Sequence, residues 1–257
     1  MENLMRKIRL YISSGMVLRM ILRKRIIPLL LIVIPSAFFY MVYLTTSERI
    51  MPFEVASIAD KLILQVSERN SSFVFFAVAT VGFLSSYIGL SLIQEMVDVN
   101  KRLIICGYHP IELMGSSFLV LLVVIIFVST YISLSMLLFF TPVSFAGFFI
   151  SMVMSGLTYG CYGLLIGSVF KGELEGILLI VLLANIDAGW LQNPLFYSGA
   201  QNKMIIQVLP AYYPSQMAIV SAFSSYSTTK ILFGSIAYFC SFGALAATIY
   251  YQKMKKK

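Results

Sequence analysis

The sequence carries little charge. Asp, Glu, Lys and Arg together make up 12% of its 257 residues, while hydrophobic residues make up 59%. Soluble domains carry about a quarter charged residues, so this composition excludes an ordinary soluble domain. It indicates that lipid is the solvent for most of the chain.

Residues that catalysis and metal binding require are also scarce. The sequence has one histidine, and it contains no G-x-x-x-x-G-K-[ST] phosphate loop, no H-E-x-x-H pair and no serine nucleophile elbow. We therefore predict no ATP site of that type, no catalytic residue and no metal site or cofactor in this chain. Cys106, Cys161 and Cys240 lack metal-ligand spacing, and they are predicted to be small buried residues without a disulfide.

The net charge of +8 does not indicate a nucleic-acid partner. The basic residues cluster beside apolar runs, where anionic lipid head groups and membrane topology explain them. Membrane lipid is therefore a predicted partner, and nucleic acid is not.

Six apolar runs are long enough to cross a bilayer. A hydrocarbon core about 30 Å thick needs roughly 20 residues in helix, and each run must be helical because lipid offers no partner for backbone groups. The predicted spans are Ile26–Leu44, Ser72–Ile93, Ile111–Phe140, Ser144–Phe170, Gly176–Trp190 and Ile231–Gln252. They predict an all-α integral membrane fold, with one membrane domain over residues 26–252 and a basic tail over 253–257.

The distribution of Lys and Arg predicts the orientation of these spans. Fourteen basic residues fall before the first span, in the second-to-third and fourth-to-fifth loops, and in the tail, whereas five fall on the other side. The positive-inside rule then places both termini in the cytoplasm. An even number of spans agrees with this orientation.

Residues 1–25 are predicted to form an amphipathic helix on the cytoplasmic leaflet. Leu4, Ile8 and Ile12 repeat at helical spacing, with Arg6 and Lys7 between them. The alternative is a basic flank that only sets topology.

Two segments on the predicted outer side are longer than turns. Residues 45–71 carry an apolar stripe at helical spacing, which predicts a short surface helix. The stripe consists of Val55, Ile58, Leu62 and Val66. Residues 191–226 are semi-apolar but broken by prolines and a glycine, which predicts a re-entrant or interfacial helical hairpin before the last span.

The stretch QEMVDVNKRLIICGYHPIELMGSS, residues 94–117, is charged although it lies between two apolar spans. Gly107 is suited to ending a helical turn in a left-handed conformation, and Pro110 suits the first position of the next helix. We therefore predict a short helix, parallel to the membrane and fixed at both ends. Its mixture of charged and apolar residues favours a docking surface, and the alternative is a solvated linker. The candidate docking residues are Glu95, Asp98, Lys101, Arg102, Ile104 and Tyr108.

The fourth span carries glycines at steps of four, three and four residues, which places them on one helix face. They are Gly156, Gly160, Gly163 and Gly167. Small residues allow close helix approach in lipid. We favour packing inside the chain over a subunit interface.

Asp187 is the acid within an apolar run, beside Asn185 in the stretch ANIDAGW. An intramembrane acid is a candidate for a transport pathway. However, Trp190 favours the membrane interface, and Asp187 can equally cap the next helix. The structural role is favoured, and the pathway role stays open for Asp187 and Asn185.

The order of these features resembles the permease subunits of ABC-2 type transporters. The stretch QEMVDVNKRLIICGYHPIELMGSSFL is similar to the family's acidic-basic segment after the second span, with Glu95 at the acidic position. It departs from the family where the usual E-x-G-T core is replaced by VDVNKR. The stretch LPAYYPSQMAIVSAF is similar to the family's L-x-P-x-x-Y region between the last two spans.

This resemblance implies an exporter that moves an amphipathic or lipophilic substrate, such as a drug, peptide or lipid-like molecule, across a bacterial cell membrane. It implies that a separate ATPase chain binds ATP and Mg and docks on the 94–117 loop. It also implies a second permease copy or a related permease chain. An ATP-independent channel or scaffold is the alternative function, and a membrane enzyme ranks below both.

Overall fold

A computed structural model describes residues 2–55 and 63–255 of the chain. The described residues are predominantly helical, with two short β-strands. In chain order the elements are α1 (Glu2–Arg23), α2 (Ile26–Thr45), β1 (Ile50–Glu54), β2 (Ile63–Ser67), α3 (Glu68–Gln94), α4 (Val97–Ile105), α5 (Pro110–Met136), α6 (Phe145–Val169), α7 (Glu173–Ala184), a π-helix (Asn185–Leu191), α8 (Pro194–Gly199), α9 (Lys203–Gln207), α10 (Tyr212–Phe223) and α11 (Thr229–Lys255).

The six predicted spans are confirmed as helices long and apolar enough to cross a membrane. They correspond to α2, α3, α5, α6, α7 with the π-helix, and α11. The second span starts four residues earlier than predicted, at Glu68. The third span ends four residues earlier, at Met136 instead of Phe140, because residues 137–139 form a turn. The chain is thus a multi-pass membrane protein.

The centre of the bundle is the pair α3 and α6. These two helices pack against each other more extensively than any other pair of described elements, and most of their residues are buried. Helices α5, α10 and α11 pack around α6, whereas α2, α7 and α11 keep most of their surface exposed. A helix that faces lipid needs no polar outer side, so large exposed apolar residues are expected there.

The segment before the last span forms α8, α9 and α10. Almost every residue of α10 is buried, chiefly against α6. Pro214 lies in the first turn of α10, where a missing N–H costs no helical hydrogen bond. The end of α10 is tied to the α5–α6 connection, since Val143 N–H donates to Ala222 O at 3.0 Å and Ser144 N–H donates to Ser221 O at 2.9 Å.

The surface helix predicted over residues 45–71 is wrong for the part that the structure describes. Strands β1 and β2 form an antiparallel hairpin, with Met51 opposite Val66. Ile58 and Leu62 of the predicted stripe lie outside the described residues. Pairing supplies each strand with backbone hydrogen bonds, and this outweighs the weak local helical pattern.

The helix predicted over residues 1–25 is present as α1. Its buried side consists of Ser13, Val17 and Ile21, and it packs against α5. Ile8 and Ile12 of the predicted apolar stripe are exposed. Because α5 packs against the opposite side of α1, this stripe faces away from the bundle.

Candidate functional site at the α4 end of the bundle

The C-terminal end of helix α4 is fixed by its own sequence, as predicted. Gly107 adopts a left-handed φ of 90° after the helix, a conformation that favours glycine. Pro110 then starts α5. His109 caps α5 by accepting from the Ile111 N–H at 3.3 Å, while Glu112 accepts from the His109 N–H at 3.2 Å. The chain therefore reverses within a few residues and keeps α4 against the bundle.

The C-terminal helix α11 holds the inner side of α4. Asn100 Nδ2 donates to the Tyr250 hydroxyl at 2.9 Å, and both residues are buried. The neighbouring ring of Tyr251 stacks on His109 at a centroid distance of 5.8 Å. Sequence analysis did not identify Asn100 or Tyr250, because they lie 150 positions apart and no local pattern links them.

The N-terminal helix α1 and the residue after it contact the 94–117 loop at two further points. Arg9 donates to the Gly107 carbonyl at 2.8 Å and lies over the Tyr108 ring at 5.5 Å. Immediately after α1, Lys24 pairs with Glu95 at 2.5 Å. Glu95 also accepts from Ser91 at 2.7 Å. Two predicted docking residues, Glu95 and Tyr108, thus have partners within the chain.

The outer edge of α4 is open. Ile105 is 86% exposed, and Cys106 beside it is also exposed, contrary to the prediction that the cysteines are buried. Ile104, the predicted anchor, is only half-exposed. Sequence analysis missed Ile105 because the helix orientation, set by the distant Tyr250, decides which of two adjacent isoleucines faces outward.

The predicted charged residues surround this edge. Asp98 and Lys101 pair at 2.8 Å across one helical turn, and the Asp98 side chain stays 85% exposed. Arg102 is exposed on the same helix. The structure therefore brings together an exposed aliphatic side chain and a rim of mixed charge.

Cys240 is exposed and only Cys161 is buried, so the cysteine prediction holds for one of the three residues. Cys240 lies on α11, where exposure is expected for a helix that faces lipid. No disulfide links any of them.

A cavity of about 550 Å³ lies behind α4, between the ends of α3, α6 and α11. Three lysines line it, namely Lys101, Lys171 and Lys253, together with Asp98. Apolar side chains form much of the remaining wall. Sequence analysis placed these lysines on one side of the membrane but did not predict that they converge.

The four glycines of α6 lie inside the chain's own bundle. A Cβ on Gly163 would collide with the backbone carbonyl of Ser86 in α3, and one on Gly156 would lie 2.6 Å from Ile125 in α5. Gly160 and Gly167 have comparably tight neighbours in α5 and α3. The glycines thus allow the backbones of α3 and α6 to touch.

Asp187 is buried, 5% exposed, within the π-helix. It accepts from the Tyr159 hydroxyl of α6, from the Ala211 N–H at 2.9 Å and from the Gln192 side chain at 3.4 Å. These bonds join α6, the fifth span and the start of α10. Asn185 lies on the exposed side of the same span and does not share these contacts.

No protein-family model matches the chain, and no curated protein matches its sequence. Over residues 2–55 and 63–255, no three His, Cys, Asp or Glu side chains are grouped so as to hold a metal ion. The geometry of the α4 end is therefore the basis for a functional proposal.

Proposed function

We propose that this chain is the membrane-spanning permease subunit of an ATP-driven exporter of the ABC-2 type. Its substrate would be amphipathic or lipophilic, and a separate ATPase chain would bind ATP and Mg. The observation that carries the proposal is α4, a short helix at one end of the bundle that is bonded to α11 through the buried Asn100 and exposes Ile105.

A helix that transmits the motion of a bound ATPase to the membrane spans must be firmly attached to them, and α4 has such attachments. Asn100 links α4 to the last span through Tyr250, and Gly107 links the following turn to α1 through Arg9. Pro110 continues directly into the third span. A protein that moved α4 would therefore move three other helices, because no flexible linker separates them.

The open edge of α4 has the composition of a binding surface. An exposed aliphatic side chain, Ile105, would be the anchor, and Asp98, Lys101 and Arg102 would form the rim. Buried apolar anchors usually contribute more binding energy than rim charges, and exposed ion pairs contribute little. We assign the anchor role to Ile105 in place of Tyr108, which Arg9 already covers.

The α4 face is assigned to the cytoplasm. The ends of α3, α6 and α11 meet there, and fourteen of the nineteen basic residues lie on this side. The exposed apolar stripe of α1 would contact the inner leaflet. The protein would then lie in a bacterial plasma membrane with both termini cytoplasmic, and residues 191–226 would re-enter from the outer side.

The transport path would lie between two permease copies, or between this chain and a related one. Glu173 and Glu175 are exposed in the first turn of α7. Beyond that turn, the exposed residues of α7 and the π-helix are apolar apart from Asn185, which lies near Leu182 and Ile186. A polar amide in lipid favours a polar partner or water. Asn185 is therefore a better pathway candidate than Asp187, whose carboxylate is occupied by three donors.

Cross-linking from Cys106 tests the ATPase partner. A Cys240→Ser chain is labelled at the exposed Cys106 with a photoactivatable maleimide in membranes of its native host. Irradiation should capture a chain that hydrolyses ATP when purified with this protein. Capture of no ATP-hydrolysing chain, with ATP hydrolysis also missing from gently purified complexes, would favour the ATP-independent channel or scaffold.

Substitution of the anchor adds a quantitative test. Ile105→Ala should weaken ATPase binding by about 1–2 kcal/mol, or roughly 5- to 30-fold, while Lys101→Ala should change it less. Ile63→Ala is the matched control, since Ile63 is also exposed but lies in the β-hairpin away from α4. Equal binding by Ile105→Ala and Ile63→Ala would contradict the assigned anchor.

A further inference from the structure

The cavity behind α4 is shaped by four elements. The ends of α3, α4, α6 and α11 line it, and its volume is about 550 Å³. This is within the range of pockets that hold small organic ligands, about 300–1,000 Å³. It lies at the end of three membrane spans, where head groups meet water.

Positive charge dominates the cavity wall. Lys101, Lys171 and Lys253 face one acid, Asp98, which pairs with Lys101. Lys253 donates to the Val169 carbonyl at 2.6 Å, which holds its ammonium group at the end of α6. Lys171 forms no ion pair within residues 2–55 and 63–255, and it lines the cavity together with Lys253. An anion in the cavity would balance the charge of these two lysines.

Much of the rest of the wall is apolar. Ile93, Val97, Phe170 and Met254 line the cavity beside the lysines. A free inorganic anion would contact the lysines and leave these apolar side chains exposed to water. A ligand with an anionic head and an apolar body would satisfy both parts of the wall.

We infer that this cavity binds the phosphate-bearing head group of an anionic phospholipid. The phosphate lies between Lys171 and Lys253, and the glycerol and first acyl carbons lie against Phe170 and Met254. Basic pockets between membrane helices on the cytoplasmic side commonly bind acidic head groups. The bound lipid bridges the α6–α7 connection to α11, the helix that holds α4 through Tyr250. This binding requires a membrane-spanning bundle with the α4 face in the cytoplasm, as assigned in the proposed function, and it does not depend on the ATPase.

Native mass spectrometry of the full chain tests this inference. The protein is purified in detergent and titrated with phosphatidylglycerol or phosphatidylcholine. We expect phosphatidylglycerol to bind more tightly, and the Lys171→Gln, Lys253→Gln double variant to bind it about 30-fold more weakly, because each lysine near a lipid surface contributes about a factor of five. The charge-preserving Lys171→Arg, Lys253→Arg variant should retain binding.

The matched control is the Lys203→Gln, Lys230→Gln variant. It removes the same charge from residues outside the cavity lining, so it should bind phosphatidylglycerol like the unaltered protein. A similar loss in both glutamine variants would show nonspecific attraction and overturn the inference. If the double variant does not fold, Lys171→Gln alone should weaken binding about fivefold, and unchanged binding by a folded Lys171→Gln would also overturn it.

A third titration separates the two sources of phosphate. Inorganic phosphate at the same concentration should neither displace the lipid nor raise the melting temperature, because it cannot use the apolar wall. Displacement of phosphatidylglycerol by equimolar inorganic phosphate would overturn the lipid assignment. Equal binding of phosphatidylcholine would overturn it as well, because that head group carries no net charge.

Discussion

Asn100 in the α4 loop donates a hydrogen bond to the hydroxyl of Tyr250, 150 residues further along the chain, at 2.9 Å. Each residue is 2% exposed. A buried side-chain amide must find partners within the protein, so this pair fixes both the position and the orientation of α4. It makes α11 part of the candidate docking site, because α11 sets the position of α4.

Tyr250→Phe should therefore destabilise the protein. The substitution keeps the ring but leaves the Asn100 amide without its acceptor, at an expected cost of about 1–3 kcal/mol. Thermal unfolding in detergent measures the effect. Tyr251→Phe is the control, since it removes a hydroxyl from the adjacent, less buried tyrosine and keeps the ring that stacks on His109. Equal melting temperatures for the two variants would show that the hydrogen bond does not stabilise the fold.

Gly163→Ala should impair folding because one methyl group has no space. Its Cβ would meet the backbone carbonyl of Ser86, and a backbone atom of α3 cannot rotate away as a side chain can. Overpacking of this kind costs about 1–3 kcal/mol. We expect a smaller monodisperse peak in size-exclusion chromatography and a lower melting temperature.

Gly243→Ala is the matched control for this prediction. The nearest atom to a Cβ on Gly243 is the Cys161 sulfur at 3.7 Å, an ordinary contact distance. Alanine also has a higher helix propensity than glycine. Gly243→Ala should therefore match or exceed the native melting temperature. The same loss in both variants would mean that α3 and α6 do not meet at Gly163.

The membrane spans were predictable because the cause is local. A run such as Ile26–Thr45 must be helical in lipid whatever its neighbours are, so composition and length suffice. The turn at Gly107 and the helix start at Pro110 were predictable for the same reason, since each depends on the backbone of one residue.

The contacts that define the site were not predictable in this way. Lys24 pairs with Glu95, and Arg9 lies over Tyr108. The two residues of each pair are distant in the sequence, so no local periodicity predicts the contact. The choice of Ile105 over Ile104 as the exposed residue depends on how α4 is rotated. The hairpin β1–β2 was missed because strand pairing is a tertiary contact, while the stripe at Val55 and Val66 has helical spacing.

Cysteine labelling tests the orientation of the bundle. In a Cys240→Ser background, a membrane-impermeant maleimide applied to intact cells should not label Cys106, because the α4 face is assigned to the cytoplasm. Ile63→Cys in β2 should label, since it is exposed and lies in the segment between the first two spans. After cell lysis Cys106 should label as well. Labelling of Cys106 in intact cells would reverse the assigned topology.

Asp187→Ala should lower stability more than a substitution of any exposed residue on the fifth span, because Asp187 is buried. Removing the carboxylate leaves the Tyr159 hydroxyl, the Ala211 N–H and the Gln192 amide without their acceptor, and each unsatisfied buried group costs about 1–3 kcal/mol. The stability of Asp187→Asn should lie between those of the native protein and Asp187→Ala, because the asparagine amide keeps one acceptor oxygen. Asn185→Ala is the control, because Asn185 is exposed on the same span. The melting temperature of this variant should stay close to the native value. Its substrate export should fall if Asn185 lines the transport path. The opposite outcome would be a native melting temperature for Asp187→Ala with loss of export alone. In that case the carboxylate would serve the transport pathway, and packing alone would hold the junction of α6, the fifth span and α10.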